Sequence, residues 1–372
     1  MCIGVPAEIK VQEHRVGLVP SSVRELTARG HEVIVQSDAA AAIDISDEDY
    51  RAVGAAIVGS AAEVFETAEL IVKIKEPQPE EGSLLRDGQV LFTYLHLAPD
   101  PTQTRMLQDR GVTAIAYEAV TDDAGGLPLL APMSEVAGRM SIHVAAHCLE
   151  MTPGGRGVLM GGVAGVAPAK IVILGGGVVG GNAARMAVGL HADVTLLNRT
   201  RPKLDELDRE LGGRVKTLFS TADAIEKNVA DADAVIGAAL VAGATAPRLV
   251  TRDLVGRMRR GSVLVDVSID QGGCFETSRP TTHDDPTYEV EGVVHYAVTN
   301  MPGGVARTST FAINNATLPF VLELADKGPE RALRNDHHLK NSLNVYRGRV
   351  TCQAVARSLG VDYVPADTFL GD

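Results

Sequence analysis

Three glycines, Gly175, Gly177 and Gly180, follow the apolar run KIVIL (170–174) and open the small-residue stretch GNAARMAVGL, after which a second apolar run, DVTLL (193–197), begins. Glycines at this spacing let a turn tighten between a buried strand and a helix. They bring bare backbone N–H groups against a pyrophosphate at the positive end of that helix. A glycine-rich turn can also serve packing alone, but the strand, turn, helix and strand context favours a dinucleotide. Where an acid commonly accepts the adenosine ribose hydroxyls, this chain has Asn198, followed by Arg199, Thr200, Arg201 and Lys203. A neutral amide beside cations suits a 2′-phosphate, so NADP(H) is expected over NAD(H). The other reading of these cations is a solvated basic stretch.

Such a turn needs a parallel sheet to hold it. The runs ADAVIGAAL (232–240) and GSVLVDVSID (261–270) extend the same alternation. Residues 1–130 alternate short apolar runs, IVKIKEP (71–77) and VLFTYLHLAP (90–99), with helical patterns. VPSSVRELTARG (19–30) opens with Ser and closes on Gly, as a capped helix does. The expected class is α/β: two Rossmann-like doubly wound domains with a cleft between them. Residues 129–306 form the expected dinucleotide domain, and 1–128 with 307–372 a discontinuous substrate domain. SEVAGRMSIHVAAHCLE (134–150) reads as a long linking helix, while STFAINNATLPFVLELA (309–325) and the C-terminal tail read as helices packed on the first domain.

A length of 372 residues argues for two domains. With 45% hydrophobic and 22% charged residues the chain has an ordinary soluble globular composition. A formal charge of −12 disfavours non-specific attraction to nucleic acid or anionic lipid. Cys2, Cys148, Cys274 and Cys352 show no ligand spacing and suit reduced thiols. The first residues carry charge within ten positions, and no apolar run of about 18 residues occurs. A cytoplasmic protein without a membrane partner is expected.

With these residues in view the chain resembles the alanine dehydrogenase family, related to the nucleotide-binding subunit of proton-translocating transhydrogenase. The resemblance runs through GVPAEIKVQEHRVGLVP (4–20), VKIKEP (72–77), LFTYLHLA (91–98), LPLLAPMSEVAGR (127–139), GGRGVLMGGVAGV (154–166), LVDVSIDQGGCFETSRPTTHDDPT (264–287) and TNMPGGVARTSTFAINNAT (299–317). It implies reversible oxidative deamination of L-alanine to pyruvate and ammonia. Asn198 departs from the acid of NAD-dependent members; NRTR is more similar to the NADP-binding turn of shikimate dehydrogenases.

The resemblance assigns substrate roles to Arg15 and Lys75, and catalytic roles to His96 and Asp270. Reductive amination needs a cation for a carboxylate, a donor for the oxo group and an acid/base group. Arg15 offers a planar fork and Lys75 a compact cation; alternatively both are surface cations, Lys73 alternating with Lys75 along one strand. His96 ends an apolar run and suits proton transfer near neutral pH, or it is a satisfied core histidine. Asp270 is either a partner for a cationic intermediate or a turn aspartate.

The cofactor contacts implied are Ser134, Val178 and Val179 in the turn, then Lys203, Ser220, Ala239 and Leu240. Val267, Ser268, Ile269 and Arg279 follow, with Val298, Thr299, Asn300 and Met301 beyond them. Lys327 stands where some relatives have a histidine proposed to bind metal with an acid at Glu323, so no metal is expected. His143 and His147 stand at i, i+4 on the linking helix, a spacing that could bind metal, but with no third ligand nearby they are read as packing residues; His337 and His338 are read as solvent-facing. Cys274 is expected to be near the site and sensitive to thiol reagents. Homo-oligomers, hexamer or dimer, are the family habit. Two alternatives stay open: an NADPH-dependent reductase of another amino acid or imine, with an amine replacing ammonia, and a non-catalytic transhydrogenase-like nucleotide module.

Overall fold

The computed structural model describes residues 1–239 and 245–371. They divide into two compact units, Met1–Met133 with Val305–Asp372, and Ser134–Gly304. The first crossing falls inside the helix Ala131–Cys148 rather than in the turn before it.

The strands run in chain order. In the first unit β1 is Cys2–Val5, β2 Glu32–Gln36, β3 Ala56–Val58, β4 Leu70–Val72, β5 Val90–Thr93 and β6 Thr113–Ala116. The second unit holds β7 Lys170–Leu174, β8 Asp193–Asn198, β9 Val215–Phe219, β10 Ala234–Gly237, β11 Val263–Asp266, β12 Thr287–Val290 and β13 Val293–Tyr296. The chain then returns to the first unit with β14, Leu343–Tyr346, and β15, Arg349–Val350.

The first sheet has the order β15-β14-β6-β5-β4-β1-β2-β3, parallel from β3 to β6 with an antiparallel edge. The C-terminal tail is therefore partly strand, not all helix. LNVY is buried at every position, and β14 pairs with β6. The second sheet runs β12-β13-β11-β10-β7-β8-β9, parallel except for β12. In each sheet the order reverses beside the first strand of the unit, between β1 and β4 and between β7 and β10. Loops leaving the carboxyl ends of strands at such a reversal have room for a ligand, because neighbouring connections go to opposite faces of the sheet.

Parallel strands buried on both faces explain the continuous apolar runs. Ile171, Ile173, Ala234, Ile236, Val263 and Val265 face one core layer of the second sheet; Val172, Leu174, Val235 and Leu264 face the other. The runs overstate strand length, however. β4 ends at Val72 and β5 at Thr93, so Lys75 and His96 lie in the loops beyond. The helix Pro20–Ala28 starts on Pro20 after Val19, with no side-chain cap; serine does not open it, since proline's missing N–H suits that first position. Pro319 lies within the long helix Ala306–Lys327.

Candidate active site

In the first unit the loops after β1, β4 and β5 carry Arg15, Lys75 and His96. Gly17 lets the β1 loop lie against the end of β4: a Cβ there would sit 2.2 Å from the Val72 carbonyl oxygen. Arg15 is 2% exposed, and its fork is engaged by Glu13, with Nε donating to Oε1 at 2.6 Å and Nη2 to Oε2 at 2.5 Å. Nη1 points at the Met133 thioether, 3.1 Å away. Burial opposes ionisation of Glu13, but the bonds and charge of Arg15 prevail and pull its pKa down to about 2. Neither residue is a surface cation or its partner.

Lys73 is fully buried. Its Nζ donates to Glu8 Oε2 at 3.1 Å and to Glu81 Oε1 at 2.6 Å. Glu8 Oε1 also accepts from the backbone N–H of Ile74 at 2.6 Å and of Lys75 at 3.4 Å. Glu8 thus ties the loop carrying Lys75 to the loop after β1. Burial, and then the charges of Arg15 and Lys10, push the pKa of Lys75 below the usual lysine range, which makes its ammonium a readier proton donor.

His96 is not a core histidine: its side chain is 51% exposed. Its φ is 49°, a conformation costly outside glycine, and Glu118 secures it. Glu118 accepts from the backbone N–H of Leu95 at 3.2 Å and of His96 at 2.6 Å, and its Oε1 lies 3.8 Å from the ring Nδ1. The imidazole stacks parallel to Tyr94, centroids 5.8 Å apart, and the Tyr94 hydroxyl donates to the Leu129 carbonyl at 2.6 Å. Tyr94 interacts electrostatically with both Arg15 and Glu118. The first unit therefore brings Arg15, Lys75 and His96 together beyond the carboxyl ends of the central strands β1, β4 and β5. Glu8, Glu13 and Glu118 were missed by sequence reasoning; only Glu13, two residues from Arg15, left a local signal.

In the second unit the turn after β7 has the features a pyrophosphate requires. Gly175 adopts φ +108°, and a Cβ at Gly180 would lie 1.8 Å from the Gly175 carbonyl oxygen. A Cβ at Gly177 would meet nothing within 4 Å: there is open space before the helix Val178–Gly189, whose first residues lack a side-chain cap. The residues fit a dinucleotide. Val178 is 45% exposed beside this space, while Val179 packs against the core.

Asn198 Oδ1 accepts from the Gly176 N–H at 3.0 Å, and its Nδ2 donates to Thr200 Oγ1 at 3.0 Å, so the amide links the glycine turn to the turn after β8. Arg199 is exposed. Arg201 and Lys203 are drawn toward acids of their own helix, Asp205 at 3.5 Å and Glu206 at 2.7 Å. Ser220 donates its N–H to the Asn198 carbonyl at 3.0 Å.

β11 ends at Asp266, so Asp270 does not close a strand; it sits exposed in a short 3-10 turn, Ile269–Gln271. Its Oδ2 accepts from the Asn300 N–H at 3.4 Å. The acid at the strand end is Asp266, also missed. It is buried and accepts from the N–H groups of Ser268 and Cys274, at 3.1 and 2.8 Å, and from the Ser278 hydroxyl at 2.5 Å. Burial raises its pKa against those bonds. Ser268 Oγ donates to the Ala239 carbonyl at 2.9 Å, joining the ends of β10 and β11. Ile269, Val298 and Met301 are buried, Val267 is half-buried, and Ser134 and Thr299 are partly exposed. The Arg279 guanidinium lies 4.0 Å from the Tyr288 ring centroid. Leu240 lies outside the described residues.

Three further expectations change, for Cys274, for His143 with His147, and for His338. Cys274 is wholly buried and its thiol is pushed up to about 11, first by burial and then by Asp266, which makes it a poor nucleophile. His143 and His147 are exposed on the linking helix rather than packed, His147 lying 3.5 Å from Glu150. Lys327 pairs with Glu323 on the long helix. His338 is not simply solvated but bonded to Thr121 and Asp123.

The two doubly wound units define a class: α/β proteins carrying a dinucleotide-type turn in one unit and a cationic, acid/base-bearing cluster at the carboxyl ends of the central strands in the other. The models for the N-terminal and C-terminal domains of alanine dehydrogenase/PNT match residues 4–137 and 141–353, and the chain belongs to that family. The second match runs past Gly304, where the chain returns to the first unit, as far as residue 353. An alanine dehydrogenase of Halomonas elongata is 57% identical over 371 residues, covering 100% of both chains. That of Bacillus subtilis is 52% identical, covering 100% of this chain and 98% of its own. A solved L-alanine dehydrogenase superposes with a TM-score of 0.94 at 52% identity, covering 97% of this chain and 99% of that one. A transhydrogenase from Sinorhizobium meliloti has a TM-score of 0.83 at 26% identity, covering 94% and 100%.

Proposed function

We propose that the protein is an amino-acid dehydrogenase acting on the CH–NH2 group of L-alanine, reversibly yielding pyruvate and ammonia with a nicotinamide dinucleotide. The observation that carries this reading is the convergence of Arg15, Lys75 and His96 at the strand-order reversal of the first sheet, in a chain 51–57% identical to alanine dehydrogenases. The first unit is the substrate domain and the second the dinucleotide domain. Arg15, held rigid by Glu13, attracts the substrate carboxylate. Lys75, its pKa lowered, donates a hydrogen bond to the oxo group and stabilises charge that develops on oxygen. His96, stacked on Tyr94, moves protons as ammonia adds and water leaves. Asp270 offers a carboxylate for a cationic intermediate, and the bound nicotinamide gives or takes the hydride. His96→Ala should lower turnover by about a hundredfold or more while leaving dinucleotide affinity nearly unchanged; undiminished turnover would remove it from the chemistry.

For the cofactor we propose NADP(H), since no acid stands at Asn198 and Arg199, Arg201 and Lys203 surround that turn. NAD(H) is the second reading, favoured by the pairing of Arg201 with Asp205 and of Lys203 with Glu206. Initial rates with both dinucleotides decide between them. A panel of 2-oxo acids with ammonia or methylamine distinguishes alanine from another amino acid or an imine. No turnover with any pair would leave a transhydrogenase-like binding module.

We also propose a homo-oligomer. Met151, Leu159, Val163 and Val166 are each more than 60% exposed within one stretch, an apolar surface that a partner would cover. Light scattering after size-exclusion chromatography gives the number. No described helix is long and apolar enough to cross a membrane, and the free cysteines favour a reducing compartment.

A further inference from the structure

In the first unit Asp123, His337 and His338 come together, with one potential ligand atom from each within 4.8 Å of the others. None of the three has a part in the proposed reaction. We propose that they form a site for a divalent metal of the Zn2+ type, distinct from the Glu323 and Lys327 positions. Two imidazoles and one carboxylate suit Zn2+, Co2+ or Ni2+, whereas Mg2+ and Ca2+ prefer oxygen throughout.

The three donors are unequally held. The His338 side chain is 21% exposed, and its Nε2 lies 3.0 Å from Asp123 Oδ1. On the other side of the ring Nδ1 lies 2.8 Å from Thr121 Oγ1, which also accepts from Asn341 Nδ2 at 3.1 Å. An outer hydrogen bond of this kind fixes the orientation and tautomer of a metal-ligating histidine. With the proton on Nδ1 and given to Thr121, Nε2 presents a lone pair to the ion. The backbone is fixed too: Asp336 Oδ1 accepts from the N–H groups of His338 and Leu339 at 2.8 and 3.2 Å.

The other two donors can move onto that anchor. Asp123 has a 99% exposed side chain, and the exposed His337 ring lies over His338 with centroids 3.8 Å apart. A tetrahedral ion with bonds of about 2.1 Å needs donors roughly 3.4 Å apart, so a modest contraction completes three ligands and leaves a fourth position to water. The ion would tie the loop around Asp123 to the C-terminal segment and stabilise the folded chain by linkage.

The test uses the full chain without a histidine tag, stripped by chelator and titrated with Co2+, read by visible absorption, and with Zn2+, read by calorimetry and melting temperature. One equivalent should bind, and His337→Ala and Asp123→Ala should each weaken it at least about tenfold and abolish the Zn2+-dependent rise in melting temperature. Thr121→Val, which removes the outer hydrogen bond to His338 along with the one from Asn341, should cost about tenfold in affinity with the circular dichroism unchanged. His143→Ala/His147→Ala should bind as wild type. Absence of binding to the wild-type chain, equal binding by the His337 and Asp123 variants, or loss confined to the His143/His147 variant would each overturn the site.

Discussion

Arg15 is an example of a residue whose role depends on one neighbour. Its charge is 2% exposed and balanced by Glu13, a pair that is costly to break from one side only. Glu13→Ala should destabilise the chain by about 3 kcal/mol, and adding Arg15→Met should recover much of that loss; urea unfolding of the two variants measures both. The same pair predicts a pH window. The pKa of Glu13 falls from 4.5 to about 2 on folding, so its contribution is complete above about 4.5 and is lost as pH drops through about 2. Acid unfolding of the Glu13→Gln variant should therefore lose part of the steepness shown by wild type in that range. Glu118 is a positioning residue for His96. Glu118→Gln keeps one acceptor for the two N–H groups, whereas Glu118→Ala leaves the left-handed turn unsupported and should reduce turnover more than it raises KM; equal effects of the two variants would contradict this.

Among the elements, the glycine turn after β7 separates folding from binding. Gly180→Ala forces a Cβ to 1.8 Å from a carbonyl oxygen and should destabilise the second unit. Gly177→Ala meets nothing within 4 Å, so the melting temperature should hold while dinucleotide affinity falls because the methyl fills the phosphate's space. Fluorescence titration with NADPH and NADH checks the second point, and an unchanged Kd would place the pyrophosphate elsewhere. The ends of the strands teach a related lesson. Apolar runs continue past β4, β5 and β11 because the loops that follow are themselves packed, and hydropathy cannot separate a buried loop from a buried strand.

For the molecule as a whole, β14 and β15 complete a sheet begun more than two hundred residues earlier in the chain. Truncation after Lys340 removes both strands and bares the edge of β6, so the product should aggregate and lose activity, as light scattering and a rate assay would show. Periodicity and glycine spacing were enough to read from the sequence the α/β class, the two doubly wound sheets and the turn after β7, because those features depend on near neighbours along the chain. Motif resemblance pointed to Arg15, Lys75, His96 and Asp270. Only tertiary structure decided that Glu13 occupies the fork of Arg15, that Glu118 holds His96, that Asp266 rather than Asp270 ends β11, and that Asp123 meets two histidines from the C-terminal segment. Apart from Glu13, two residues from Arg15, those pairings join distant positions, up to 215 residues apart between Asp123 and His338. Contacts made by chain return leave no local pattern, since their partners are chosen by where the sheet brings the backbone.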